Sequence, residues 1–289
     1  MTGRLRNWTK KRLPGSSKRR RMSSIEVARP MSRQKRITYR RVCFLAAALS
    51  LLGLTIWSAI GTEVSLGRLA TGVPQIMALL ERMFPPNLSM LSSLLWPTIE
   101  TIEMALLGTT LPIFIAVPLS LLAASNTAPN QLILLCTRVV AAFLRTVPDL
   151  VWGMILVSAV GLGPMPGVLA LTLHAIGGMT KLFYEAIESS EKGPIEAMHA
   201  LGAGRIHTIL FGVLPNVLPS MISSTLLYWE YNNRSAAVLG LVGAGGIGLA
   251  MTQALADFRY RDVSMCLLVI VVILVAIDFF SASLRKKVI

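Results

Sequence analysis

Charge is scarce in this sequence. Asp, Glu, Lys and Arg make up 15% of its 289 residues, where a soluble domain carries about a quarter. Catalytic and ligating signatures are missing as well. Cys43, Cys136 and Cys266 all lie in apolar runs without C-x-x-C spacing, so no disulfide or metal site is implied and they read as small core residues. There is no G-x-x-x-x-G-K-[ST] loop to cradle a nucleotide and no H-E-x-x-H pair. His174, His199 and His207 form no ligand set. An intramembrane enzyme would need a convergent nucleophile, acid–base or metal set within apolar segments, and the sequence offers none.

What is present is apolar. Hydrophobic residues make up 54% of the chain and the mean hydropathy is +0.64, which points to lipid as the solvent. The formal charge of +14 belongs to one end: residues 1–41 hold fifteen Lys or Arg against Glu26 alone, and the rest balances. Runs such as Lys18-Arg19-Arg20-Arg21 before an apolar segment mark a cytoplasmic tail facing anionic lipid. Nucleic acid is disfavoured, because no aromatic stacking pattern accompanies the charge. The tail is too long, and lacks the small-residue cleavage pattern, for a typical signal peptide.

About 20 apolar residues cross a bilayer core. On that measure the spans fall at 42–60, 96–124, 132–160, 168–184, 216–242 and 263–284, six in all, with both termini inside. Pro112, Pro118 and Pro148 interrupt spans two and three, with Pro148 read as a kink. Between spans one and two, 61–94 carries an apolar stripe (Leu66, Leu69, Val73, Ile76, Met77, Leu80 among them) with Arg68, Glu81 and Arg82 off it. It reads either as a helix in the outer interface or as a small helix packed on the bundle; Pro74 argues against one continuous helix. The domains expected are thus a basic tail, 1–41; a first span, 42–60; the amphipathic segment, 61–94; and a core, 95–289.

The most polar internal stretch forms a cytoplasmic hairpin, 185–215. Gly193-Pro194 begins one helix, which Gly202 ends in a left-handed conformation, and a second runs from Arg205 to a stop at Leu214-Pro215. Ile195, Met198 and Leu201 share a face of the first arm, and Ile206, Ile209 and Leu210 a face of the second. Such faces need cover, either from the chain's own bundle or from a second protein with a matching groove.

Span five contains Glu230, Asn232, Asn233 and Arg234 in its outer half. Glu230 and Arg234, four apart, can pair on one face; they read either as a packing device or, with Asn233, as part of a translocation path or gate. Arg145 and Asp149 are a candidate structural pair across Pro148. Glu100 and Glu103 read as solvated. Gly243, Gly245 and Gly246 belong to an outer segment that matches G-x-G-x-x-G, but a dinucleotide site needs a strand before it and a soluble crossover unit. A flexible or tightly packed turn near an outer gate fits better.

Glu196-Ala197-Met198, three residues, Gly202, nine residues, Gly212, one residue and Leu214-Pro215 resemble the EAA loop of permeases in ATP-binding-cassette (ABC) importers. The family pattern has a small residue where Met198 stands and Ile where Gly212 stands. Phe84-Pro85-Pro86, Arg145-Thr-Val-Pro148-Asp149 and the stretch Leu239–Gly248 are similar to the phosphonate branch of that family, with phosphite permeases not separable. The resemblance implies an all-α, polytopic bundle with the type I importer permease fold in a bacterial inner membrane. It also implies a second permease copy, two ATPase subunits, and a periplasmic or lipid-anchored solute-binding protein. The loop, Glu196, Ala197, Met198, Gly202, Leu214 and Pro215, would dock the ATPase. ATP and magnesium would sit on that partner, with no cofactor on this chain. The competing readings are a permease for another small solute, such as methionine, an ion-gradient-driven transporter, or a membrane scaffold.

Overall fold

A computed structural model describes residues 33–62 and 65–288. The basic run within 1–32, and Glu63 of the amphipathic segment, lie outside the described residues. Every regular element among the described residues is helical. The chain forms two units, Met1–Ala70 and Thr71–Ile289. In the first, α1 (Arg33–Gly61) contains the apolar span Val42–Gly61, whose side chains are exposed as lipid-facing groups must be.

α2 (Leu66–Met83) is one helix that passes through Pro74, against the sequence expectation of a break. Val73, Ile76, Met77 and Leu80 stay exposed, so no described residue covers these four. In the second unit, α3 (Leu91–Ala123) contains Pro97, Pro112 and Pro118. Pro112 has no N–H for the Gly108 carbonyl one turn back. Asn232 Nδ2 donates to that carbonyl at 3.0 Å, and to Thr109 Oγ1 at 2.8 Å. The buried Asn232 thus repairs α3 from a neighbouring helix.

The third expected span is two helices, α4 (Gln131–Thr146) and α5 (Asp149–Val160), bent by 83° at Val147-Pro148. This is a break rather than a kink, because Pro148 also drives Val147 into extended backbone. α6 (Pro164–Glu188) packs against α3, α4, α5 and the later helix over Leu214–Leu239. Four helical stretches are long and apolar enough to span a membrane, or five with the bent pair. α6 stands outside that set because its solvent is protein: Thr172, Gly177, Gly178 and Thr180 are buried within the bundle.

The hairpin follows as α7 (Lys192–Ala200) and α8 (Arg205–His207). A π-helical turn, Thr208–Val213, then runs into α9 (Leu214–Leu239). A 3-10 turn (Gly240–Val242), α10 (Gly246–Ala256) and α11 (Tyr260–Val288) complete the chain.

Candidate functional site

The hairpin's first arm begins at Lys192, two residues before Pro194. It ends as the sequence requires: Gly202 adopts φ +70°, its N–H donates to the His199 carbonyl, and the Ala203 N–H donates to the Met198 carbonyl, both at 3.0 Å. These two bonds form a Schellman cap. The second arm does not stop at Leu214-Pro215 but continues helically into α9. The π-helical turn shifts the bonding register just ahead of Pro215, whose ring and missing N–H would disrupt an unbroken α-helix.

The apolar faces divide. Ile195 packs on a core of Met179, Phe183, Ile187, Val213, Val217 and Met221, so the chain's own bundle covers the root of the hairpin. The tip is uncovered: Leu201 is 81% exposed, Ile206 71% and Phe211 67%. Glu196 and Ala197 are exposed beside it.

The two departures from the loop pattern meet in space. A Cβ on the buried Gly212 would stand 3.3 Å from Met198 Cγ and 3.5 Å from the Pro194 carbonyl oxygen. A large side chain at 198 therefore occupies the room that a large one at 212 would take.

The α3–α4 turn is bonded to the hairpin's entry and to the start of its second arm, a feature that sequence reading missed. Arg205 donates to the Thr127 carbonyl at 2.7 Å and to the Ala128 carbonyl. At the hairpin's entry Glu188 accepts from the Ser125 N–H at 2.7 Å and from Arg138 at 2.5 Å. Asn126 Nδ2 donates to the Ile187 carbonyl at 2.8 Å. Arg138 also donates to the Ala123 carbonyl at 2.8 Å and lies over the Tyr184 ring. Burial disfavours the Glu188 carboxylate, but the bonds from Ser125 and Arg138 outweigh it and hold its pKa below the usual glutamate value. Spacing along the chain could not show the bonds of Arg205, Glu188 and Asn126, which join residues 50 to 78 apart.

The glycine segment is packed. Gly243 through Gly248 are buried. A Cβ on Gly240 would stand 2.6 Å from the Gly245 carbonyl oxygen and from Gly248 Cα, so two backbone segments touch where side chains would separate them. Gly243, Gly245 and Gly246 all have positive φ. Glu100 is not simply solvated: its carboxylate accepts from the Gly246 N–H at 3.0 Å, at the start of α10, and Thr101 Oγ1 accepts from the Ile247 N–H at 2.9 Å. A carboxylate at a helix N-terminus opposes the positive end of the dipole.

Glu230 and Arg234 do not pair with each other. Glu230 accepts from Arg285 at 2.5 Å, and Arg234 donates to both oxygens of Asp278 at 2.8 Å. Opposite charges on α11 lie within direct reach, so each α9 charge pairs across the helices rather than along its own. The signal was an acid inside the last apolar run: Asp278 lies seven residues before Arg285, two turns along one face. Arg285 is three residues from the end of α11, so Glu230 lies near that end, about 15 Å along α9 from Gly240, while Arg234, one turn on, lies about 9 Å from it. Asn233 is buried, donates to the Trp229 carbonyl at 2.8 Å, and faces an apolar cleft with Ile102, Ile247, Ile270 and Ile273. Arg145 and Asp149 are not paired either, because the 83° bend turns their helices apart.

Comparison with known proteins agrees with this architecture. The family described as the binding-protein-dependent transport system inner membrane component matches residues 116–289. The phosphite transport system permease protein PtxC of Stutzerimonas stutzeri is 41% identical over 218 residues, which cover 75% of this chain and 79% of PtxC. The phosphate-import permease protein PhnE of Mycolicibacterium smegmatis is 40% identical over 232 residues, covering 80% of this chain and 44% of PhnE. Among solved structures, an inward-facing conformation of the MetNI methionine ABC transporter superposes with a TM-score of 0.61 at 21% identity, covering 70% of this chain and 99% of that one. With its membrane-length helices, the chain is an inner-membrane permease and belongs to the binding-protein-dependent transport system inner membrane component family.

Proposed function

We propose that this permease carries a phosphorus oxyanion, phosphonate or phosphite, inward across the membrane, driven by a separate ATPase. Two copies form the pathway, two ATPase subunits dock from the cytoplasm with ATP and magnesium, and an external binding protein delivers the solute. The observation that carries the reading is the exposed tip of Leu201, Ile206 and Phe211 beside Glu196, on a hairpin whose root is fixed to the bundle. Apolar side chains held in water favour a partner's groove by about 1.5–3 kcal/mol each. The relatives named for phosphite and phosphate transport support the solute class.

The hairpin transmits rather than reacts. Its two ends continue into α6 and α9, and the bonds from Arg205 and Glu188 tie it to the turn between α3 and α4. Closure of the ATPase pair therefore moves four helices together between inward- and outward-open states. The energy that shifts this equilibrium is the difference in docking between the states.

Co-purification with the ATPase and binding-protein partners tests this, with ATP hydrolysis measured in nanodiscs. Hydrolysis is expected to rise only with binding protein loaded with phosphonate or phosphite. Leu201→Ser with Phe211→Ser should weaken ATPase association about a hundredfold or more. A complex that ignores both solutes would remove the solute assignment and leave the importer. An intact complex in the double variant would remove the docking tip.

A further inference from the structure

The elbow between α4 and α5 has its backbone repaired and one charge left over. The freed Val147 carbonyl faces His174 Nδ1 at 3.2 Å, and the Leu144 carbonyl accepts from the Trp152 indole N–H at 3.3 Å. Asp149 is engaged as well, by the Leu150 N–H at 3.0 Å and the Tyr231 hydroxyl at 3.4 Å. The exposed Arg145 guanidinium has no hydrogen-bond or ion-pair partner among the described residues, and neither has the Tyr228 hydroxyl.

α6 fixes their depth. Gly177 lies about 20 Å along α6 from its outer end at Pro164, near the helix midpoint. A Cβ on Gly177 would stand 2.6 Å from the Arg145 backbone nitrogen, and one on Gly178 would overlap the Tyr228 hydroxyl. Consecutive glycines thus bring the α4 end and the tip of Tyr228 onto one stretch of α6. Tyr231 packs edge-on to Tyr228 and stacks on His174 at 5.4 Å.

A guanidinium at mid-depth without a partner is too costly to leave against lipid. We propose that Arg145 and the Tyr228 hydroxyl form a station for the transported phosphorus oxyanion, in the water-filled path between two copies of the chain; this deepens the transport reading above and rests on it. The guanidinium offers a forked set of donors that matches such oxygens. One cation and one hydroxyl bind weakly enough to release the ion onward.

The test uses the full complex in proteoliposomes, in a background lacking Cys43, Cys136 and Cys266, with uptake of labelled phosphite and methylphosphonate read beside ATP hydrolysis. Arg145→Cys is expected to lower uptake about tenfold or more while the complex and its stimulated hydrolysis persist. An aminoethyl methanethiosulfonate reagent, which attaches a cation to the new thiol, should restore uptake; the sulfonatoethyl reagent, which attaches an anion, should not. Unchanged uptake in Arg145→Cys, restoration by both reagents or by neither, or collapse of the complex overturns the station. If the unsubstituted complex carries neither solute, the solute assignment fails separately. The cationic station is then upheld by reaction of the substituted thiol with both reagents from water, and overturned by its inertness.

Discussion

The 185–215 hairpin and the 240–248 segment both depend on glycine, for opposite reasons. Gly202 sits in open space, with nothing near the position of a Cβ, and is required only for its left-handed backbone. Gly240 has ordinary helical backbone, φ −59°, and is required for lack of volume, since three backbone atoms stand 2.6 Å from where its Cβ would be. One region presents apolar side chains to water and is steered by a few polar bonds. The other buries backbone against backbone. The exposed face keeps its contacts unfilled, whereas the packed turn has no room to give.

The largest expected effect follows from that contrast. Gly240→Ala should abolish a monodisperse permease on size-exclusion chromatography, because no flexible side chain can yield. Gly202→Ala should cost about 1–2 kcal/mol locally, leave the chromatogram unchanged, and reduce only ATPase-coupled uptake. Equal loss of folded protein in both variants would erase the distinction.

A smaller effect sharpens the account of the hairpin. Gly212→Ile alone should destabilise it by about 1–3 kcal/mol through overpacking. Adding Met198→Ala should recover about 1 kcal/mol of that, as expected for side chains in contact. Hydrogen exchange of the 192–215 amides reads both. Strictly additive effects would mean that the two departures from the loop pattern do not compensate.

The smallest effect concerns pH. Because the Glu188 pKa is depressed in the folded chain, its contribution is complete at neutral pH, above the ordinary glutamate value, and is lost as pH falls through the depressed value. Exchange protection of the 125–128 amides should drop over that acidic range and lose its pH dependence in Glu188→Gln. Unchanged titration in Glu188→Gln would assign the effect to another group.

Much of the molecule was legible without coordinates. Apolar runs of membrane length fix helices, since lipid leaves no other way to satisfy a single segment's backbone. The Gly202 stop was readable because the constraint is local. Tertiary structure decided the partners. Glu230 and Arg234 are neighbours on one helix, yet each bonds to α11; Arg145 and Asp149 are separated by a bend that one proline could only suggest. Neither Asn232 repairing α3 nor Arg205 tying the hairpin to a turn 77 residues earlier is visible in spacing. The sequence by itself determined that this chain is a bundle of membrane helices with a glycine-capped polar hairpin, because hydropathy and backbone conformation act over a few residues. Only the tertiary structure decided which charges are matched among the described residues, because pairing depends on distances across helices that chain order does not contain.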